Sequence, residues 1–132
     1  MESLENDYIK FWFEDGILHS TFLKQNVILD APLAKNVITL RHEASNGEKQ
    51  YWCYDFRNIK SMPKDGKDYA DKYGQEYLHA AAAIVDNHIQ KFIVNLFISI
   101  KNPVIPFKAF TSKEKDVQWL NEIKIANQTK SI

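Results

Sequence analysis

The sequence predicts an α/β domain in which an N-terminal β-hairpin is followed by alternating helices and strands, in the order ββαβαβαβα, around a mostly parallel sheet. Three observations lead there. Two strand-like segments face each other across Asp15-Gly16. Beyond them, segments with helical spacing of apolar residues alternate with short, continuously apolar runs. Such alternation implies parallel strands joined by right-handed crossovers, with helices packed against the sheet. The length of 132 residues suits one core, large enough to need no staples. Residues 1–126 are expected to form this single domain, and residues 127–132 a polar tail that frays.

Each element has its own signal. Residues 8–14 (YIKFWFE) are aromatic-rich and alternate as a strand does. Asp15-Gly16 suits a tight turn because both positions tolerate positive φ, and residues 17–23 form the return strand. Asp30 is placed as the N-cap of a helix carrying Leu33, Val37, Ile38 and Arg41 at helical spacing. Pro32 falls in its first turn, where no intrahelical donor is lost, and Gly47 is expected to supply the left-handed stop. Residues 49–56 place Tyr51, Trp52 and Cys53 in succession, the two-faced apolar character of a central strand covered on both sides. Residues 61–77 are expected as a second helix, with Tyr69, Tyr73 and Tyr77 along one face and Ser61 or Pro63 at its start.

Residues 80–85 (AAAAIV) read as a buried strand, although alanine is a poor strand former. Residues 88–100 form a third helix whose stripe of Ile89, Phe92, Ile93, Leu96, Phe97 and Ile100 is expected to face the sheet. Val94 and Ile98 then fall on the outer face, between Lys91 and Lys101. Residues 104–110 contain Pro106, which places that strand near a sheet edge. Thr111 and Glu114 form a capping box for the last helix, whose inward stripe is Val117, Leu120 and Ile123.

Composition narrows the function. Hydrophobic residues make up 45% and charged residues 26%, with a formal net charge of zero. That is an ordinary globular profile, without the basic excess that a dedicated nucleic-acid binder needs to displace counterions. Cys53 has no second cysteine to pair with and, inside YWCYDF, reads as a small core hydrophobe. The start of the chain is acidic and lacks the apolar core of a secretory signal. The apolar run FIVNLFISI is too short to cross a bilayer. The expectation is a cytoplasmic protein that does not insert in a membrane, with contact at a membrane surface left open.

The stretch Asp55-Phe56-Arg57-Asn58-Ile59, followed by Gly66, resembles the STAS or SpoIIAA-like family. Anti-sigma-factor antagonists of that family carry Asp-Leu-Ser, an apolar turn, and then Asp-Ser-Ser-Gly opening a helix. Aligned on Gly66, the aspartate falls at Pro63 and the two serines at Lys64 and Asp65, so the usual phosphoacceptor is missing. A looser likeness, to uncharacterised small bacterial STAS-like proteins, spans nearly the whole chain. It rests on the Phe-Trp hairpin, on Asp55, Arg57 and Lys60, on residues 80–85, on Asn95, on Pro106, Lys108, Phe110 and Thr111, and on Trp119-Leu120. The resemblance implies a SpoIIAA-like fold and carries no activity with it.

In a parallel sheet, the loops leaving the carboxyl ends of the strands converge where ligands usually bind. Here they bring Arg57, Asn58, Lys60, Ser61, Asp65 and His88 as candidate binding residues, beside helix N-termini able to hold an anion. Asp65 in a serine slot could imitate a permanently charged state. The plainer reading, which we favour, makes Ser61, Asp86 or Asn87, and Thr111 helix caps, Asp65 a first-turn charge and Arg57 a solvated side chain. His19, His42, His79 and His88 lie on different elements without metal-ligand spacing. No phosphate loop, nucleophile elbow or HExxH occurs, so neither a cofactor nor catalysis is expected. The leading expectation is a non-enzymatic regulatory or protein-binding module, using Val94 and Ile98 to contact a partner or a second copy as a homodimer. The alternative is a binder of a small apolar or anionic, lipid-like ligand that uses the same third helix and the basic loop at Arg57 and Lys60, between the third strand and the second helix.

Overall fold

The computed structural model describes residues 3–100 and 105–130, with the backbone alone for residues 96–100. In chain order the elements are β1 (Ser3–Glu5), β2 (Ile9–Glu14), β3 (Ile17–Phe22), β4 (Val27–Ile28), α1 (Ala31–Ser45), β5 (Gln50–Asp55), β6 (Ile59–Ser61), α2 (Lys64–Tyr73), β7 (Leu78–Ile84), α3 (His88–Ile100), β8 (Phe107–Phe110) and α4 (Lys113–Lys130). Six strands form one sheet in the order β1-β2-β3-β5-β7-β8. The first three are antiparallel, and β3, β5, β7 and β8 run parallel. The expected α/β architecture is therefore present, with β8 at the edge where Pro106 placed it.

The hairpin turns through Asp15 (φ 50°) and Gly16 (φ 80°), the two positive φ values of a primed turn that matches strand twist. Asp30 caps α1 as expected: its Oδ1 accepts a hydrogen bond from the Leu33 N–H at 3.1 Å. The left-handed stop of α1 begins one residue earlier than anticipated. Asn46 already has φ 50°, and Gly47 follows at φ 78°, because asparagine tolerates that region almost as glycine does.

Larger differences surround α2. Ser61 does not start the helix; it ends β6, which pairs in parallel with β4 in a separate two-stranded sheet. Backbone pairing outcompetes capping there, since the Ser61 carbonyl accepts from the Leu29 N–H at 2.9 Å. The helix also stops early, at Tyr73, and Tyr77 adopts φ 58° outside it. The cause is Arg41, which is fully buried and donates to the carbonyls of Glu76 (2.8 Å) and Gly74 (3.1 Å). Helical continuation would tie those carbonyls up internally. At the other end of the chain, α4 is capped by Ser112 rather than Thr111, with Ser112 Oγ accepting from the Lys115 N–H at 3.2 Å. It then runs through the expected tail to Lys130, anchored by Asn127, whose side-chain amide donates to the Tyr51 hydroxyl at 2.8 Å.

Strand β5 divides the core. Trp52, Tyr54 and, just beyond the strand, Phe56 point to the face covered by α1, α2 and α3, together with Phe11, Leu18, Val37 and Ala81. Trp52 and Tyr54 stack at 4.1 Å, with Phe11 and Phe22 tilted against them. Tyr51 and Cys53 point the other way, to α4, among Ile17, Ala80, Ala82 and Leu120. The guanidinium of Arg41 lies 4.8 Å from the Trp52 ring centre, a cation–π contact that offsets part of its desolvation. Burial lowers its pKa only to about 10, so it stays charged.

Helix α2 meets the β4–α1 connection through Gly66. A Cβ there would lie 2.0 Å from the Leu29 carbonyl oxygen, a backbone atom that cannot swing aside. Gly66→Ala is therefore expected to lower stability by about 1–3 kcal/mol, the usual cost of overpacking. A urea midpoint equal to that of the wild type would show that α2 is free to shift away.

Candidate functional site

All four helices start at the edge formed by the carboxyl ends of β3, β5, β7 and β8. An open, polar cleft of about 380 Å³ lies there, lined by Gln25, Asn26, Arg57, Asn58, Lys60, Asn87, Ile89 and Gln90 among others. It gathers three of the sequence-predicted residues: Arg57, Asn58 and Lys60. Ser61, Asp65 and His88 do not line it. Ser61 is committed to β6, and His88 is exposed as the first residue of α3. The Asp65 carboxylate serves two helix starts, accepting from the Gly66 N–H at 2.8 Å and, more weakly, from the Ala31 N–H at 3.4 Å.

The cleft is poorly furnished for an anion. Arg57 turns its fork onto Asp55, with Nε donating to Oδ1 at 3.0 Å and Nη2 to Oδ2 at 2.8 Å. That pairing raises the arginine pKa and fills the geometry a carboxylate or phosphate would use. The Asn58 amide donates to the Phe22 carbonyl at 3.1 Å, tying the loop to β3.

Gln90 is the residue the sequence reading missed. It is buried, and its side chain makes three hydrogen bonds to backbone. Oε1 accepts from the Asp86 N–H at 2.7 Å, and Nε2 donates to the carbonyls of Arg57 (2.7 Å) and Ile59 (3.0 Å). Asn87 caps the same helix by accepting from the Gln90 N–H at 2.9 Å. These bonds turn α3 by roughly a quarter turn from the orientation its apolar stripe suggests. Val94, expected outside, is buried one turn beyond Gln90, while Ile89 and Phe92 are 64% and 63% exposed. Val94 is thus no surface contact, and Ile98 lies outside the described side chains. No apolar periodicity could signal this, because a glutamine is what faces inward.

Val94 instead lines an apolar crevice of about 80 Å³ between α1, α2, α3 and the sheet. Its walls include Leu29, Val37, Trp52, Tyr54, Phe56, Met62, Ala81 and Phe107, with Asp71 and Gln75 from α2 as polar members. The sequence signal was present but unused: large aromatics on one face of β5 lie against alanines on the paired strand β7, where Trp52 is opposite Ala81. Large beside small leaves space unless the helices above close it.

On the other face, Asp116 of α4 is fully buried beside Cys53, and neither carboxylate oxygen has a well-formed hydrogen bond. Burial raises its pKa to about 8; Asp55 adds to the rise, while the Cys53 thiol, a weak donor, and Lys113 oppose it. Burial and Asp116 push the Cys53 thiol far up in turn, so it is not a nucleophile at neutral pH. The His19 imidazole stacks on Trp12, and burial and Lys113 lower its pKa against the opposing pull of Glu14 and Asp15. Among the described residues no His, Cys, Asp and Glu cluster is arranged to hold a metal, and no helix is long and apolar enough to cross a membrane.

The fold is that of a SpoIIAA-like α/β domain. The structure resembles an uncharacterised protein of the DUF3478 family with a SpoIIAA-like fold from Shewanella loihica PV-4, with a TM-score of 0.61 and 17% identity over 91% of this chain and 99% of the other. By sequence the chain belongs to the family described as a domain of unknown function, DUF7793, whose profile matches residues 11–124. No curated protein matches it.

Two outcomes follow from the buried polar groups. Gln90→Leu strands an N–H and two carbonyls and is expected to cost about 3 kcal/mol, with faster amide exchange concentrated in α3; uniform destabilisation would contradict the pinning role. Asp116 ionises at about 4 when unfolded but at about 8 when folded. Stability is therefore fully present below about pH 4 and lost as pH rises toward 8, by at most about 1.4 kcal/mol per pH unit. Asp116→Asn should flatten that slope in urea midpoints measured at pH 5 and pH 8. An unchanged slope would mean that Asp116 is already ionised in the fold.

Proposed function

We propose that the protein is a non-enzymatic SpoIIAA-like module that binds a small apolar ligand in the crevice beneath α2 and α3. The observation that carries this reading is the crevice itself, about 80 Å³ of space with almost wholly apolar walls, where protein cores are ordinarily close-packed. Roughly 10–15 Å³ suffices for one water, and a dry apolar void of about 150 Å³ takes benzene. The crevice thus suits a short alkyl chain, with any remainder emerging at the surface.

The burial of Val94 moves weight from a partner surface to this site. A non-enzymatic role is supported by the state of two reactive groups, since Cys53 is protonated and Arg57 is clamped to Asp55. A second reading, a regulatory contact with a protein partner across α3, is favoured by the exposure of Ile89 and Phe92.

The test is titration with 1-hexanol, followed by NMR. Saturable shifts are expected at the Trp52 indole N–H and the Val94 methyls. Ala81→Leu, which fills the crevice from β7, should weaken binding at least about tenfold, or about 1.4 kcal/mol. Failure of the wild type to saturate, or undiminished binding by a folded Ala81→Leu, would remove the ligand reading. A monomer at all concentrations in sedimentation, unaffected by Phe92→Asp, would remove self-association across α3.

A further inference from the structure

We infer that the crevice selects a neutral apolar molecule carrying one hydrogen-bond donor, an alcohol or a phenol, which donates to Oδ1 of Asp71. This rests on the crevice being a ligand site. Asp71 lies on α2 and lines the crevice, with a side chain only 6% exposed. Its Oδ2 accepts from Lys67 Nζ, one turn earlier, at 3.0 Å. Its Oδ1 is buried and has no hydrogen-bond partner. Buried acceptors are nearly always satisfied, and an ionised one left open is a cost that an incoming donor removes. The rest of the wall, including Leu29, Val37, Phe56, Ala81 and Phe107, can offer the body of the ligand only apolar contact.

Charge argues for a neutral donor. Lys67 already balances Asp71. Arg41 donates to the carbonyls of Gly74 and Glu76, just beyond the end of α2, and lies over Trp52, which lines the crevice. Among the described residues no carboxylate comes within ion-pair distance of it. An ammonium would enter against that guanidinium and lose its hydration without a free counter-charge. A carboxylate would gain from Arg41 but would face Asp71 at the one open acceptor, where like charges disfavour ionisation and no proton is offered. An alcohol meets neither obstacle. A buried acceptor also discriminates well, because an analogue lacking the donor leaves it open again.

The experiment compares two isomers of equal composition on the full chain: 1-hexanol, which has a donor, and methyl pentyl ether, which has none. Affinities are read from the same NMR titration, with hexylammonium and hexanoate as charged probes. The alcohol is expected to bind the wild type at least about tenfold tighter than the ether. Asp71→Leu should abolish that preference while leaving ether affinity within about twofold. Should Asp71→Leu fail to fold, the comparison on the wild type decides alone. Equal affinities of the two isomers would overturn the Asp71 anchor and leave the crevice as a ligand site. Preference for either charged probe would overturn neutrality. Saturation by none of the four would overturn the ligand reading and this inference with it.

Discussion

Strand β5 is buried on both faces, and that requirement organises the molecule. A strand in this position cannot alternate apolar with polar residues; both faces must be matched by neighbours. One face is matched with bulk, in the stacked Trp52 and Tyr54 beneath three helices. The other is matched with small residues, Cys53 beside Ala80 and Ala82, which let α4 approach closely. The two solutions differ. The face toward α4 holds a buried carboxyl, Asp116, beside Cys53. Against α1, α2 and α3 the rings prop the helices away from β7, and the crevice is what remains.

The elements whose signals are local were legible in the sequence. Asp15-Gly16, the Asp30 cap and the apolar run 80–85 each specify their structure within a few residues, and the hairpin, α1 and β7 follow from them. What escaped depends on partners far along the chain. Ser61 resembles a cap until Val27 and Ile28 are placed beside β6. The early end of α2 depends on Arg41, some thirty residues away. Gln90 defeats periodicity altogether, because three backbone groups recruit an amide to the inner face and push two large apolar residues outward. Of the candidate residues, Arg57, Asn58 and Lys60 line one cleft, since strand order alone puts their loop at the carboxyl edge. The crevice had only an indirect signal, the aromatics of β5 beside the alanines of β7, and Asp71 had none: a Lys67–Asp71 pair one turn apart looks like any solvated helix face until the depth of α2 is known.

The polar cleft and the apolar crevice illustrate why residue type is a poor guide to availability. The cleft contains the residues a sequence reader would select for binding, yet its arginine and asparagine are engaged in holding loops. The crevice contains residues a reader would assign to the core, yet they surround unfilled space. Availability is decided by which hydrogen bonds and contacts are already complete, and only three-dimensional placement shows that.

The starts of the helices carry one more implication. Four N-termini at one edge would give a chain of zero net charge a marked electrical polarity. Asp30 at the start of α1, Asp65 in the first turn of α2, and Glu114 in that of α4 sit where three of those positive ends lie. Their compensation is local, within a turn, and leaves little field to reach into solvent. A visitor is therefore not drawn in from a distance. It arrives by unguided diffusion, its capture rate is indifferent to ionic strength, and selection takes place only after contact, by fit.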